Sequence, residues 1–184
     1  MPEISKELIM RAAKGDVDAF EEIYKATSGF VYNVALRITN NRDNAGEVTQ
    51  DVFLKVYNSL RNFAFRSSFK TWVYRIAVNT AINYCKARSR HDRGRIEYDP
   101  AVHDTEVPGN ARSGLDEAES ERRMAVLLDL LDPDQRACIV LREIEGLDYR
   151  SIADTLGINI NTVRSRLKRA RERLMKAPGK EWRT

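Results

Sequence analysis

The sequence is poor in the residues that build disulfides and metal centres. Its two cysteines, Cys85 and Cys138, lie far apart and form no C-x-x-C, and its two histidines, His91 and His103, lack ligand spacing. We therefore expect no disulfide framework and no thiolate or zinc site. This cysteine usage favours a reducing cytoplasm. No cofactor is predicted.

Long apolar runs and enzyme signatures are missing as well. No apolar run approaches the roughly 18 residues of a membrane span, and Glu3 and Glu7 stand where a signal peptide would be basic. A cytoplasmic protein without membrane insertion is expected. The motifs G-x-x-x-x-G-K-[ST], H-E-x-x-H and G-x-S-x-G do not occur, so we predict no enzyme and assign no catalytic residue.

Charge is distributed unevenly along the 184 residues. Residues 61–90 contain seven Lys or Arg and no acid, whereas residues 91–121 contain three basic and nine acidic residues. Residues 136–176 contain ten basic and five acidic residues. Two basic blocks around an acidic connector indicate two modules that bind polyanions. The connector is rich in turn formers and poor in apolar residues, which predicts a flexible linker over 91–121.

The segment before the linker has apolar residues at helical spacing throughout. Asp16 or Asp18 can cap a first helix that runs to about residue 38. Ser28 and Gly29 leave open whether this is one helix or two. No strand alternation is present, so the predicted class is all-α, with two small helical domains over residues 1–90 and 122–184.

Two more capping signals divide the rest of this segment. Asn44, followed three residues later by Glu47, has the spacing of a capping box and predicts the start of a second helix. Ser67 or Ser68 can cap a third helix.

Residues 61–90 also hold six of the fifteen aromatic residues. Aromatic rings can stack on unpaired bases while Lys and Arg contact phosphates, so the block suits single-stranded nucleic acid. The alternative is that the rings form core. For Phe63, Phe65 and Tyr74 both roles remain open, whereas three rings share the apolar stripe of the third helix and are expected in its core: Phe69, Trp72 and Tyr84.

The carboxy-terminal module has the turn chemistry of a helix-turn-helix. Asp148 can cap a short helix that Gly157 ends, and Asn159 or Asn161 can cap the last helix. In the last helix an apolar stripe recurs at intervals of four, three and four residues: Val163, Leu167, Ala170 and Leu174.

The polar face of the last helix carries the candidate contacts to duplex DNA. Polar residues at the amino end of such a helix read base edges in the major groove, and later Arg and Lys neutralise phosphates. A merely solvated basic helix is the less favoured alternative. The candidate contacts are Asn161, Thr162, Arg164, Ser165, Arg166, Lys168, Arg169 and Arg171.

Three motifs make the chain similar to bacterial sigma factors of the extracytoplasmic-function (ECF) group of the sigma-70 family. They are QDVFLKVY at 50–57, SSFKTWVYRIAVN at 67–79, and TVRSRL at 162–167 with RAR following at 169–171. Together they are specific and span nearly the whole chain, whereas the last one alone occurs in many regulators.

The resemblance implies a promoter-specificity subunit of RNA polymerase. Residues 122–184 would read the −35 element in duplex DNA. Residues 1–90 would dock on the beta and beta-prime subunits of core polymerase through Glu47, Gln50, Asp51 and Lys55. They would also read and melt the −10 element, with one base flipped out of the stack against Asn79. The implied −10 contacts are Phe63, Phe65, Arg66, Ser67, Lys70, Tyr74, Arg75, Asn79 and Asn83.

The resemblance also implies an anti-sigma partner that restrains the protein, through which it would be held at the inner membrane face, and a stress or envelope-signal regulon. One departure stands out. The family usually has Phe-Arg-Gly-acid before Ser-Ser-Phe, where this chain has Phe63, Ala64, Phe65 and Arg66. Without glycine a positive φ is less accessible, so the family's loop shape and base preference are not carried over.

Two other function classes compete with this interpretation. A serine recombinase also ends in a helix-turn-helix, but it needs an α/β catalytic domain that this sequence does not indicate. A plain helix-turn-helix regulator would bind duplex DNA without polymerase and would not require the acid-free aromatic block at 61–90.

Overall fold

The computed structural model describes residues 2–94 and 115–177. Every regular element in these two ranges is helical, which confirms the all-α class. The helices are α1 Lys6–Ala13, α2 Val17–Thr39, α3 Arg42–Ser59, α4 Phe69–Gly94, α5 Leu115–Asp129, α6 Pro133–Ile139, α7 Tyr149–Leu156 and α8 Ile160–Met175. A 3₁₀ turn, Leu60–Asn62, follows α3, and a π-helical turn, Val140–Ile144, extends α6.

The segment predicted as a flexible linker, 91–121, is helical at both of its ends. Because α4 continues to Gly94 and α5 begins at Leu115, residues at either end of the 91–121 range are helical. Its central part, with the turn formers that suggested flexibility, lies outside the described residues.

Capping side chains set the start of α2 and of α3. Asp16, not Asp18, caps α2, and its carboxylate accepts the Ala19 N–H at 2.9 Å. The helix runs through Gly29 without a break, so the alternative of two helices is wrong. The predicted capping box is also wrong, because Asn41 caps α3 and accepts the Asn44 N–H at 2.9 Å.

Helices α2, α3 and α4 enclose the core of the first half. Ser68 caps α4 as predicted, accepting the Thr71 N–H at 3.1 Å. Each helix turns one apolar stripe inward, which removes that surface from water and provides the main favourable term in folding. The fully buried side chains of this core include Ile23, Val31, Ile38, Val48, Val52, Val56, Val73 and Val78.

The second half packs directly against the first. The buried guanidinium of Arg136, on α6, donates to the carbonyls of Ile38 at 3.2 Å and Thr39 at 3.3 Å, at the end of α2. These carbonyls lack helical partners and carry the negative end of the helix dipole, so a cation is favourable there. Nearby, the Asn40 side-chain amide donates to the Ala125 carbonyl at 2.8 Å.

Candidate nucleic-acid interface

Helices α7 and α8 form the predicted helix-turn-helix. Asp148 caps α7 by accepting the Ser151 N–H at 2.7 Å, and this hydrogen bond lowers the pKa of the carboxyl. Gly157 ends α7 with φ at 65°, a left-handed conformation that glycine adopts without a Cβ clash. Asn159 rather than Asn161 caps α8. The tight turn leaves α8 crossing α7 with one face outward.

The inward face of α8 holds Val163, Leu167 and Ala170, which are buried as predicted, while Leu174 is half-buried. The outward face presents exposed arginines. Arg164 donates to the Asn161 side-chain oxygen at 2.9 Å, one turn earlier on the same face.

Several other candidate contacts on α8 are held by neighbouring side chains. Arg166 is only 22% exposed and pairs with Asp134 at 3.2 Å, and Arg171 pairs with Glu143 at 2.8 Å. The Ser165 hydroxyl donates to the Thr162 carbonyl. Lys168 lies 3.9 Å from Glu172, whereas Arg169 is exposed and forms no ion pair within the described ranges. Arg164 and Arg169 are therefore the cations most available to a ligand.

A cavity of about 350 Å³ lies between α3 and α4, and we call it the Asn79 cavity. It brings three of the predicted −10 residues together with Lys55, which the resemblance assigned to polymerase docking. Its walls are formed by Lys55, Ser59, Trp72, Arg75, Ile76, Asn79, Thr80 and Asn83.

The lining of the Asn79 cavity suits a ligand that combines a planar ring with negatively charged groups. Two cations and no acid line it, and the Trp72 ring supplies an aromatic wall. Lys55 donates to the Thr80 hydroxyl at 3.0 Å, which holds its ammonium group at the cavity. The Nε of Arg75 is buried with no hydrogen-bond partner in the described part of the chain.

The second half of the molecule reaches the edge of this cavity. The Asn79 side-chain amide donates to the main-chain carbonyl of Thr155, on α7, at 3.1 Å. The predicted strand-reading residue is thus engaged by the helix-turn-helix itself.

Exposure to solvent distinguishes the three aromatic residues whose roles the sequence left open. Phe63 and Tyr74 are each 9% exposed, whereas Phe65 is 41% exposed. Burial raises the pKa of the Tyr74 hydroxyl. Phe65 adopts a φ of 55°, so the loop keeps a left-handed residue at the position where the family usually has glycine.

The remaining predicted −10 residues lie at the surface in this loop, which precedes α4, and at the start of α4. Arg66 and Lys70 are exposed, and Ser67 is half-buried. The Lys70 ammonium group lies 5.6 Å from the centre of the Phe30 ring.

The predicted docking residues on α3 differ in how they are engaged. Gln50 and Asp51 are exposed, but Glu47 accepts a hydrogen bond from the Tyr84 hydroxyl at 2.7 Å. That bond raises the pKa of Tyr84. Leu54, on the same helix, is 62% exposed and adds an apolar side chain to this face.

Neither metal ligands nor a membrane segment emerge from the described ranges. They contain no group of three or more His, Cys, Asp or Glu side chains placed to hold a metal ion. None of the helices in those ranges combines the length and apolar character needed to cross a membrane.

Comparison with known proteins decides the family. The Sigma-70 region 2 family model matches residues 23–91, and the Sigma-70 region 4 model matches residues 121–174. RNA polymerase sigma-H factor of Pseudomonas aeruginosa is 35% identical, over an alignment that covers 95% of this chain and 94% of that protein. The chain belongs to the sigma-70 family.

Other relatives of this sigma factor place it in the ECF group. The ECF RNA polymerase sigma-E factor of Escherichia coli is 36% identical and covers 90% of the chain and 89% of its own length. The structure of CnrH in complex with the cytosolic domain of CnrY is similar with a TM-score of 0.58 and 26% identity, covering 91% and 92% of the two chains. The sigma factor RpoE of Bartonella quintana, solved with the anti-sigma factor NepR, shares the fold at 24% identity and a TM-score of 0.58, covering 85% of this chain and 94% of that one.

Pattern reasoning missed several residues of the Asn79 cavity in this sigma factor. Trp72, Ile76 and Thr80 belong to the apolar stripe of α4, and that stripe predicted core positions. Beside Lys55 and Ser59 of α3, part of that stripe also lines the cavity. The aromatic and basic composition of 61–90 was the one signal that pointed there.

Proposed function

We propose that this sigma factor directs core RNA polymerase to promoters by reading two DNA elements with two domains. Residues 1–90 form the domain for polymerase docking and the −10 element, residues 122–184 form the domain for the −35 element, and 91–121 connect them. The single observation that carries the proposal is the Asn79 cavity, which accompanies a complete helix-turn-helix in the same chain.

The −10 function rests on the composition of that cavity and its surroundings. A base turned out of the stack needs an aromatic wall, polar groups for its edge and cations for its flanking phosphates. Trp72, Asn79 and the pair Lys55 and Arg75 supply these three properties. Exposed Arg66 and Lys70 extend the positive surface along the strand's path.

The −35 function rests on the outward face of α8. Asn161 and Arg164 lie in its first turns, where a helix in the major groove reads base edges. Thr162, Ser165 and Arg169 share the polar side, and Lys168 and Arg171 lie where they would contact phosphates.

Polymerase docking rests on exposed polar residues beside an apolar one. Gln50 and Asp51 flank the strongly exposed Leu54 on α3. Interface centres commonly combine a buried apolar anchor with a polar rim. Glu47 extends that rim, while Lys55 faces the Asn79 cavity and would couple docking to strand binding.

A restraining partner is part of the proposal. CnrH is bound to the cytosolic domain of CnrY in its structure. By analogy we infer an anti-sigma factor for this chain, which could hold it at the inner membrane face until a stress or envelope signal releases it. The site of action is the cytoplasm, where polymerase and DNA are found.

Run-off transcription tests the function directly. Core RNA polymerase from the source bacterium is incubated with a randomised promoter library, with and without this protein. We expect discrete start sites only when the protein is present, downstream of two enriched sequence elements. If it instead shifts duplex DNA without polymerase and yields no start sites, the plain regulator is correct.

A further inference from the structure

Most cations of α8 face a carboxylate of the same half of the molecule. The helix carries six basic residues, and four of them lie 2.8–3.9 Å from an acid. Three of these acids lie outside α8, because Asp132 caps α6, Asp134 lies in the first turn of α6, and Glu143 lies in the π-helical turn. The basic helix is therefore partly neutralised by its own module before any ligand binds.

The pair of Arg171 and Glu143 differs from the other three. Its atoms are 2.8 Å apart and form a hydrogen bond, and the two side chains are 46% and 51% exposed. The contacts of Lys168 and Arg173 with carboxylates are longer, at 3.9 Å and 3.8 Å. The pair that Arg166 forms is mostly enclosed. Glu143 is thus the acid that directly occupies a solvent-facing cation of α8.

A carboxylate and a phosphate group bind a guanidinium in the same way. Both accept short hydrogen bonds from its planar set of N–H groups. Because water screens an exposed ion pair, the pair is weak, and a phosphate can replace Glu143 at Arg171 while the helices stay folded. The phosphate must nonetheless displace an acceptor that is already in place, which reduces the net gain of its contact.

We propose that Glu143 competes with the DNA backbone for Arg171 and so lowers the affinity of α8 for duplex DNA of any sequence. This inference rests on the proposed −35 function, in which Arg171 contacts a phosphate, and adds a restraint to it. Glu143 is a positioning residue, because it acts only through Arg171. Phosphate contacts carry no sequence information, so the choice among −35 sequences stays with Arg164 and Arg169.

The restraint matters for a sigma factor that must find few sites among many. Non-specific binding of a protein to DNA is essentially electrostatic. Non-specific sites greatly outnumber specific ones in a genome, so every additional free cation on α8 would hold more of the protein away from promoters. An acid within the same module reduces this loss and leaves the base-reading residues untouched.

Binding of the full chain to a labelled duplex of randomised sequence, followed by fluorescence anisotropy, measures the affinity for the DNA backbone. Glu143→Gln removes the charge and keeps the size of the side chain. We expect this variant to bind about two- to fivefold more tightly than wild type, the range that corresponds to one exposed ion pair. Arg171→Gln should bind more weakly, with a salt slope lower by about 1.

Two further variants show whether the gain passes through Arg171. Removal of any acid from this surface weakens the general repulsion of DNA, and Glu172→Gln, at the longer contact with Lys168, measures that part. When Arg171→Gln is already present, Glu143→Gln should add no more affinity than Glu172→Gln adds to wild type. Selection of −35 sequences by the holoenzyme should be the same for Glu143→Gln and wild type. Thermal melting of every variant serves as the folding control.

The outcomes separate this inference from the function beneath it. A carboxylate that merely braced α8 would have the opposite effect, since its loss would loosen the helix and weaken DNA binding. If Glu143→Gln binds no more tightly than wild type, or keeps its full gain without Arg171, Glu143 does not compete with phosphate, while the −35 function stands. If the wild-type holoenzyme selects no −35 sequence, the −35 function itself fails and this inference fails with it.

Discussion

Asn40 and Phe65 are the non-glycine residues with a positive φ in the described ranges, and their surroundings differ. Asn40 ends α2 with φ at 54°, where a short polar side chain is well tolerated, and its amide bonds to α5. Phe65 has a bulky ring and no such hydrogen bond. A hydrogen bond therefore offsets part of the strain at Asn40, whereas at Phe65 the contacts of the ring with Phe63 and Lys6 are available to do so.

Two substitutions at Asn40 separate its two contributions. Asn40→Gly keeps the left-handed turn and removes the hydrogen bond to the Ala125 carbonyl, which should cost about 1 kcal/mol of unfolding free energy. Asn40→Ala adds the strain of a Cβ and should cost about 1 kcal/mol more. Urea denaturation of both variants measures the difference. Equal stability of the two variants would mean that φ at this position is not constrained.

The thiol of Cys138 should be inert in the folded protein. Burial raises its pKa to about 11, so almost no reactive thiolate is present at pH 8. We expect iodoacetamide to modify Cys138 only after unfolding. Rapid modification of the native chain, at the rate of a free cysteine, would contradict the buried position.

The same pKa has a consequence for stability at high pH. The thiol ionises near pH 9 in the unfolded chain and near pH 11 in the folded one, so the folded state holds its proton more tightly. The contribution is complete below pH 9 and is lost as pH rises to 11. Cys138→Ala should therefore flatten the decline of unfolding free energy over this window, as followed by urea titrations.

At the scale of elements, the helix boundaries could be predicted from the sequence where the capping residue was unambiguous. Asp148 and Gly157 were identified because each lies next to its helix with no competing residue beside it, whereas Ser68 was one of two candidates. Asn44 was misread because Asn41 caps three residues earlier. The side-chain oxygen of Asn44 instead accepts hydrogen bonds from Tyr84 and Arg88, long-range contacts that no local spacing reveals.

The candidate site could be predicted only in part, because it too depends on contacts between residues that are distant in the sequence. Composition identified the block at 61–90, and the resemblance to the ECF group named Asn79 and Arg75 within it. The cavity itself depends on where α3 ends relative to α4, which tertiary packing sets. Phe65 was named as a candidate, but the retained left-handed φ ran against the expectation for a residue with a Cβ.

Helix α8 allows base reading to be separated from phosphate binding. Arg164→Ala and Arg169→Ala should each cost about 1–3 kcal/mol for every base that the arginine no longer binds, and should relax the −35 preference. Lys168→Ala is the matched control, because removing a phosphate-binding charge should weaken all sequences alike and lower the salt slope by about 1. Selection of −35 sequences by each holoenzyme measures both effects. Unchanged selectivity in both arginine variants would remove α8 from base reading.

At the scale of the whole molecule, the packing of the two halves does not fit the proposed reading of two separated promoter elements. The positions that name the −35 and −10 elements are about 25 base pairs apart, which is roughly 85 Å of duplex at about 3.4 Å per base pair. In the structure the Asn79 side chain bonds to the Thr155 carbonyl at 3.1 Å, so the helix-turn-helix proposed to read the −35 element packs against a residue proposed to read the −10 element. The interface made by Arg136 and Asn40 must therefore open on a promoter.

Energy transfer between two dyes detects this opening. Dyes attached through Lys25→Cys and Met175→Cys report on the first and second halves, both at exposed positions. We expect transfer to be high in the free protein and to fall sharply in the promoter complex. A control pair at Lys25→Cys and Asn58→Cys, within the first half, should not change. A constant signal from the first pair would show that the halves stay together.

The hydrogen bond from Asn79 to Thr155 also affects how a measured affinity of the free protein for single-stranded DNA is interpreted. If Asn79 binds a base as proposed, the Thr155 carbonyl is a competitor on the same polypeptide, and its effective concentration does not change with dilution. The apparent affinity of the free protein for a single strand is the intrinsic affinity reduced by the fraction of open molecules. That reduction persists at every protein concentration, whereas inhibition by a separate protein would disappear on dilution.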